Sequence, residues 1–490
     1  MVTMHWQSLI KWAKSDYLKL VPILGLAFYL AFIPHQNVPY PVHVDEWTHL
    51  ALSNEIIKEA NAFVTTDPLQ GGPPVGNQLL EAGFHTFWAI FHQVSGIDWF
   101  TIFKYFPSVI FMFTVLSVYI LAKRQGFGWE AALLTCLIPT TIGVLGPGFL
   151  VPLAMGLPFI VLSLFVAFNF RSWWSYLLLA VFTLFLLSIH SATAVGLIVI
   201  LIPYIIINLK GSFKHSAGIA LALVIPFVAS LIIFPEIWNL FVSTVKSLLT
   251  QQSFPSRVNV PDIITTYGYI PVALCLLGAV ILMIKRGKTN YGLVLGLIIL
   301  LLIYFIFQNF GYGTWMMYNR GFQYICLMMS IVAGAGLMTV KDFTLPAFFQ
   351  RWIKSPAIIN NVGRVLCVVV IVVMLYLAIP ARQQTYYYRM IDDADYKAFI
   401  WIRDNLGSEY QKAILDPWKG APFTAITGKN VYAWIMGRPE RDDQVAYAFI
   451  SNACRDTEFL KKNGISIVYT REACENPDLV EVAKNIFLLK

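Results

Sequence analysis

Between residues 17 and 381 the chain returns repeatedly to apolar stretches of about 20 residues, the length an α-helix needs to cross a hydrocarbon core. A soluble core cannot hide so many. With 58% apolar and only 13% charged residues, the chain lacks the polar surface to cover itself, so lipid is the solvent for most of it. Candidate spans run over 17–35, 101–121, 129–147, 149–168, 173–190, 192–209, 216–234, 266–284, 290–309, 320–340 and 364–381, about eleven crossings. The basic residues fall in small groups between them. Lys11, Lys14 and Lys19, Lys123-Arg124, Arg171, Lys210 with Lys214, Lys285-Arg286-Lys288, and Lys341, Arg351, Lys354 and Arg364 lie on alternate sides, as cytoplasmic loops do. The opposite loops hold only Lys58, Lys104, Lys246, Arg257 and Arg320. This places the N-terminus in the cytoplasm and the last hundred or so residues outside it. The net charge of +8 is therefore a matter of topology and implies no nucleic-acid partner. The first stretch is too long for a signal-peptide core and reads as a retained signal-anchor helix.

The expected architecture is a polytopic α-helical membrane protein with a C-terminal extracytoplasmic α/β domain. Residues 1–381 form the transmembrane part, with a long first external loop at 36–100, and residues 382–490 form the soluble domain. Asn77 to Gly96 is apolar enough to pass for a span but carries Glu81, His85, His92 and Gln93, and reads as an interfacial or re-entrant helix. A second external loop, 235–265, predicts a short amphipathic helix around Trp238 to Leu249. In the C-terminal region helices are expected at 395–406, 421–427 and 456–462, and extended segments at 412–416, 431–435 and after Gly464.

The first external loop opens with PYPVHVDEWTHLALSNEIIKE. Asp45 and Glu46 stand at a helix start just past the first span, with His49 and Glu55 following. One reading makes them capping residues of an interfacial helix, where first-turn carboxylates are favourable. The other makes them catalytic: a carboxylate held at the membrane surface as general base for an acceptor hydroxyl or amine, with His49 and Glu55 as polar substrate contacts. His43 and His49 flank Asp45, but no three-ligand spacing is visible, so a divalent metal is not favoured.

After this pair come Gln70-Gly71-Gly72-Pro73-Pro74, a further helix, Lys104, and much later the span entry Tyr318-Asn319-Arg320-Gly321-Phe322. In order and topology the chain resembles the GT-C superfamily of membrane glycosyltransferases, in particular its aminoarabinose and protein O-mannosyl branches. The resemblance implies an inverting transfer of a sugar from a polyprenyl-phosphate-type lipid donor to a protein, glycan or lipid acceptor on the outer face. It implies that Asp45 is the acceptor-side carboxylate, with Glu46 its neighbour, and that Arg320 clamps the lipid phosphate, the alternative being an arginine that snorkels to the interface. His190, at the outer end of a span, is a further donor-binding candidate or a packed interfacial residue. Lys104 and Arg257 are cationic candidates for donor or lipid headgroups. The chain departs from many such enzymes in one respect: the external loop Gly146–Val151 contains no acid. That disfavours the metal-dependent chemistry of oligosaccharyltransferases, whose Trp-Trp-Asp motif is also absent here. The rival functions are a transporter or flippase for lipid-linked glycans and a non-catalytic envelope assembly protein.

Four of the six cysteines lie within apolar spans. The other two, Cys454 and Cys474, lie in the soluble region. If that region faces an oxidising compartment, they are expected to pair and close a loop of about 20 residues.

Overall fold

The computed structural model describes residues 16–73, 80–141, 143, 145–234, 236–251, 260–344, 356–385, 387, 389–435 and 440–490. They divide into two compact units. The first comprises residues up to Gln36 together with Tyr105–Tyr386, the second Asn37–Lys104 together with Tyr387–Lys490.

The first unit is helical. Among the described residues, eight helices of the chain are long and apolar enough to cross a membrane: Tyr17–His35, Trp99–Lys123, Pro152–Asn169, Ser191–Asn208, Phe213–Ile233, Lys288–Phe310, Asn319–Lys341 and Asn361–Gln383. Two shorter apolar helices, Trp173–Ile189 and Tyr269–Lys285, join them. Small residues set the closest helix contact. A Cβ on Gly278 would fall 2.0 Å from the Val332 carbonyl oxygen, and one on Gly336 would fall 2.0 Å from that of Leu274. Helix Tyr269–Lys285 and the helix containing Gly336 therefore meet backbone to backbone, as small residues permit in lipid.

The expected span at 129–147 takes a different form. Helix Gly128–Thr135 lasts eight residues, and the described residues from there to Val151 are irregular. Pro139, Gly146, Pro147 and Gly148 break the helix although the composition stays apolar. Irregular backbone among apolar helices must find partners inside the protein. Side chains supply them. The Gln323 amide donates to the carbonyls of Pro139, at 2.9 Å, and of Leu145. Arg382 donates to Leu137 O, His35 Nε2 lies 2.9 Å from Gly148 O, and Tyr267 donates to Leu134 O at 3.1 Å.

The second unit is α/β. Five short strands, β1 (Lys412–Ile414), β2 (Asn430–Val431), β3 (Ile467–Tyr469), β4 (Leu479–Ala483) and β5 (Ile486–Leu489), form one sheet in the order β2-β1-β3-β5-β4. The β1 strand is parallel to β2 and β3, and β5 is antiparallel to β3 and β4. Helices Asp393–Asn405, Gly420–Thr427, Arg441–Ser451 and Thr457–Lys462 accompany it. Ile414, Phe449, Leu460 and Val468 are in its apolar core. Helix Arg441–Ser451 and the hairpin Leu479–Leu489 are additions to the elements expected from sequence. Residues 37–104 are integral to this unit. Val431 N–H donates to Leu69 O at 2.7 Å, Asn430 Nδ2 to Pro68 O at 2.9 Å, and Asn54 Nδ2 to Ala425 O at 3.1 Å.

Candidate functional site

Two prolines, Pro39 and Pro41, precede helix Val44–Glu59. His43, in extended conformation, is its N-cap. Its Nδ1 accepts from Asp45 N–H at 3.1 Å. Glu46 reaches back to complete a capping box: its Oε2 accepts from the N–H groups of Val42, at 2.9 Å, and His43, at 3.2 Å. The two adjacent carboxylates are thus in different situations. Glu46 is fully buried and engaged with backbone. Asp45 is in the first helical turn, where backbone N–H groups and the helix dipole favour negative charge. Its side chain stays 14% exposed, with Oδ1 3.6 Å from His43 Nδ1.

One turn further on, buried His49 points across to helix Ala82–Ser95. Its Nδ1 lies 2.9 Å from His85 Nε2 and 3.9 Å from Glu81 Oε2. Burial lowers the pKa of His85 to about 3, so this ring is neutral. Phe84 packs edge-on against His49 and also touches His85 and Trp88. Glu55, nearly buried, is ion-paired with exposed Lys58 at 2.9 Å, an ordinary one-turn pair on the same helix.

In the first unit the structure brings His190 and Arg320 to one place. His190 lies between helices Trp173–Ile189 and Ser191–Asn208, capping the first. Its Nδ1 is 2.6 Å from Thr193 Oγ1, which is 2.8 Å from the Tyr324 hydroxyl. Arg320 is one turn before Tyr324. His190 is buried there, 4% exposed. Glycines make room: a Cβ on Gly156 would fall 2.8 Å from Thr193 Cγ2, and one on Gly196 would fall 2.8 Å from the Tyr324 ring. Thr193 and Tyr324 were not singled out from sequence. As hydroxyls within apolar runs they carry no periodic signal.

Lys104 is part-buried in the second turn of helix Trp99–Lys123. Arg257 lies outside the described residues. The Cys454 and Cys474 sulfurs are joined, with Cα atoms 5.2 Å apart. A charge network that sequence reading did not anticipate sits at the N-terminus of helix Asp393–Asn405. Asp395 Oδ1 receives Lys419, at 2.8 Å, Tyr469 OH, at 2.7 Å, and Arg471, at 2.8 Å, while Arg471 also forks onto Asp392. The hydrogen-bonded Arg471 guanidinium holds the Asp392 carboxyl well below the usual carboxylate range. Lys419 and these aspartates line a cleft of about 680 Å³ with Tyr40 and Arg389. The charges satisfy one another, which is the pattern of a network that fixes structure.

No protein-family model matches the sequence, and no curated protein matches it. Solved structures do. The oligosaccharyltransferase of Archaeoglobus fulgidus aligns with 94% of this chain and 70% of its own, at 13% identity and a TM-score of 0.64. ArnT from Cupriavidus metallidurans, solved with undecaprenyl phosphate, aligns over 97% of both chains at 12% identity and a TM-score of 0.57. The arabinofuranosyltransferase AftD from Mycobacteria aligns with 95% of this chain but 37% of its own, at 15% identity and a TM-score of 0.57. The chain shares its fold with these structures. With this fold and its apolar helices, the chain is a multi-pass membrane protein.

Proposed function

We propose that this protein is an inverting membrane glycosyltransferase. It moves a sugar from a polyprenyl-monophosphate lipid to a protein, glycan or lipid acceptor at the outer face of the cell membrane. The observation that carries this reading is the division of labour at the start of helix Val44–Glu59. Glu46 serves the cap, while Asp45 is held in the first turn of the same helix of a GT-C fold. In the proposed reaction the acceptor oxygen or nitrogen attacks the anomeric carbon. Asp45 takes the acceptor proton, and the bond from that carbon to the donor phosphate oxygen breaks with its electron pair staying on phosphate. Arg320 offsets the charge on the leaving lipid phosphate, with His190 as a further donor-side contact.

The topology supports an outward-facing site. Residues 37–104 and 387–490 share one compact unit, and we read both as lying on one side of the membrane, which requires an even number of crossings between them. Seven of the eight long helices and both shorter ones lie in that interval, which is nine. We assign the tenth to residues 128–151, where a short helix is followed by described residues whose carbonyls are met by Gln323, Arg382 and His35. With Tyr17–His35 the total is eleven, and the basic loops then face the cytoplasm. The reading is tested in proteoliposomes supplied with polyprenyl-monophosphate sugars and candidate acceptors. Acceptor-dependent release of polyprenyl phosphate is expected. Its absence across the common polyprenyl-linked hexoses and pentoses would overturn the assignment.

A further inference from the structure

We propose that His49, Glu81 and His85 form a binding site for a divalent transition-metal ion of the zinc class, joining helix Val44–Glu59 to the start of helix Ala82–Ser95. Their donor atoms, two imidazole nitrogens and one carboxylate oxygen, all lie within 4.8 Å of one another. The separations fit the ion. Bonds of about 2.0–2.1 Å in a tetrahedron put neighbouring ligand atoms about 3.3 Å apart. The observed 2.9 Å between His49 Nδ1 and His85 Nε2, and 3.9 Å between His49 Nδ1 and Glu81 Oε2, bracket that value. Each needs to change by only about half an ångström or so to receive the ion.

The arrangement is built. Glu81 and His85 are four residues apart at the head of one helix, hence on one face, and His49 comes from another helix. His85 is fully enclosed and His49 nearly so, with Phe84 against both rings. Among the described residues His85 Nδ1 has no hydrogen-bond partner, and the Nε2 of the same ring faces His49. Glu81 is 25% exposed, which leaves an approach from solvent and room for a water as fourth ligand. Magnesium and calcium prefer sets of oxygen ligands, so two imidazoles select a zinc-class ion. Because His49 follows Asp45 by one turn, the ion would also fix the helix that presents Asp45. The inference does not depend on the glycosyl-transfer reading.

The test uses full-length protein in detergent, free of any polyhistidine tag, loaded with Zn²⁺ or Co²⁺ and desalted. Elemental analysis is expected to give about one ion per chain, and Co²⁺ to show visible bands of a tetrahedral or five-coordinate site. His49→Ala and His85→Ala should abolish both signals. Should either variant fail to elute as a monodisperse species, Glu81→Gln at the solvent-facing ligand should still weaken Zn²⁺ binding by at least about 10-fold. His92→Ala, whose ring instead contacts the Ile97 carbonyl, should leave binding unchanged. Wild-type protein that retains no stoichiometric ion, or Glu81 and His85 variants that bind like wild type, would overturn the proposal.

Discussion

Replacing Glu46 with alanine should loosen the start of helix Val44–Glu59 far more than replacing its neighbour Asp45 with asparagine. Glu46 is fully buried, and its Oε2 accepts two backbone N–H groups, at 2.9 and 3.2 Å. Alanine would leave both donors without this acceptor in an enclosed space. Each buried unsatisfied donor costs about 1–3 kcal/mol, so for the two donors local opening should become easier by about 2–6 kcal/mol. At about 1.4 kcal/mol per tenfold, the lower end already means roughly 30-fold faster amide exchange over the first turns. Glutamine keeps one carbonyl oxygen and should cost about 1 kcal/mol. Hydrogen exchange read by mass spectrometry on peptides covering residues 42–59 measures this directly. Asp45→Asn should exchange close to wild type, because its carboxylate does not close the box. Exchange in Glu46→Ala within about threefold of wild type would refute the reasoning, since it would mean the capping hydrogen bonds carry almost no free energy.

Arg320→Met should weaken binding of a polyprenyl-phosphate donor more than binding of acceptor, measured by separate titrations of the two; equal donor affinity would favour the snorkelling account of this arginine. Peptide mapping without reductant should recover a Cys454–Cys474 linked pair, and reduction should lower stability by about 3 kcal/mol in the chain-entropy model for a loop of this size. Two freely alkylated thiols would contradict an external location for residues 387–490. The Asp392 carboxyl titrates below the usual range when folded, chiefly through its hydrogen bond to Arg471. Its stabilising effect is therefore present above the ordinary aspartate pKa near ~4 and lost as pH falls through the folded value. Melting of wild-type protein should fall more steeply on acidification below about pH 4 than that of Arg471→Met; parallel curves would remove this ion pair from the account.

Much of the membrane unit was legible because crossing lipid demands long apolar helices, and hydropathy reads length and apolarity directly. The segment 129–147 shows where that signal stops. It is as apolar as its neighbours, yet it leaves the helix, and the groups that make this tolerable are Gln323 and Arg382, far along the chain. No local window sees such partners. In the first external loop the helix beginning at the Asp-Glu pair was legible, but not which residue caps it. The N-cap is His43, a residue type outside the usual capping set, and Glu46 is the one that closes the box. Glu81 and His85 stood out in sequence only as too polar for a lipid-facing helix. Their partner His49 is on another helix, so the cluster exists only after folding. The hairpin Leu479–Leu489 did leave a trace, in the alternation Val480-Glu481-Val482 and in Asn485, which adopts a positive φ of 65° at the turn.

The central claim is that Asp45 is the acceptor-side base of a lipid-linked sugar transfer, and the measurement that tests it most directly is turnover of Asp45→Asn in proteoliposomes beside wild type and Glu46→Gln. Loss of a general base should lower the rate by about 10²–10⁴-fold while donor binding and exchange over residues 42–59 stay near wild type. Glu46→Gln should keep substantial turnover. An Asp45→Asn enzyme that transfers sugar at close to the wild-type rate would contradict the account.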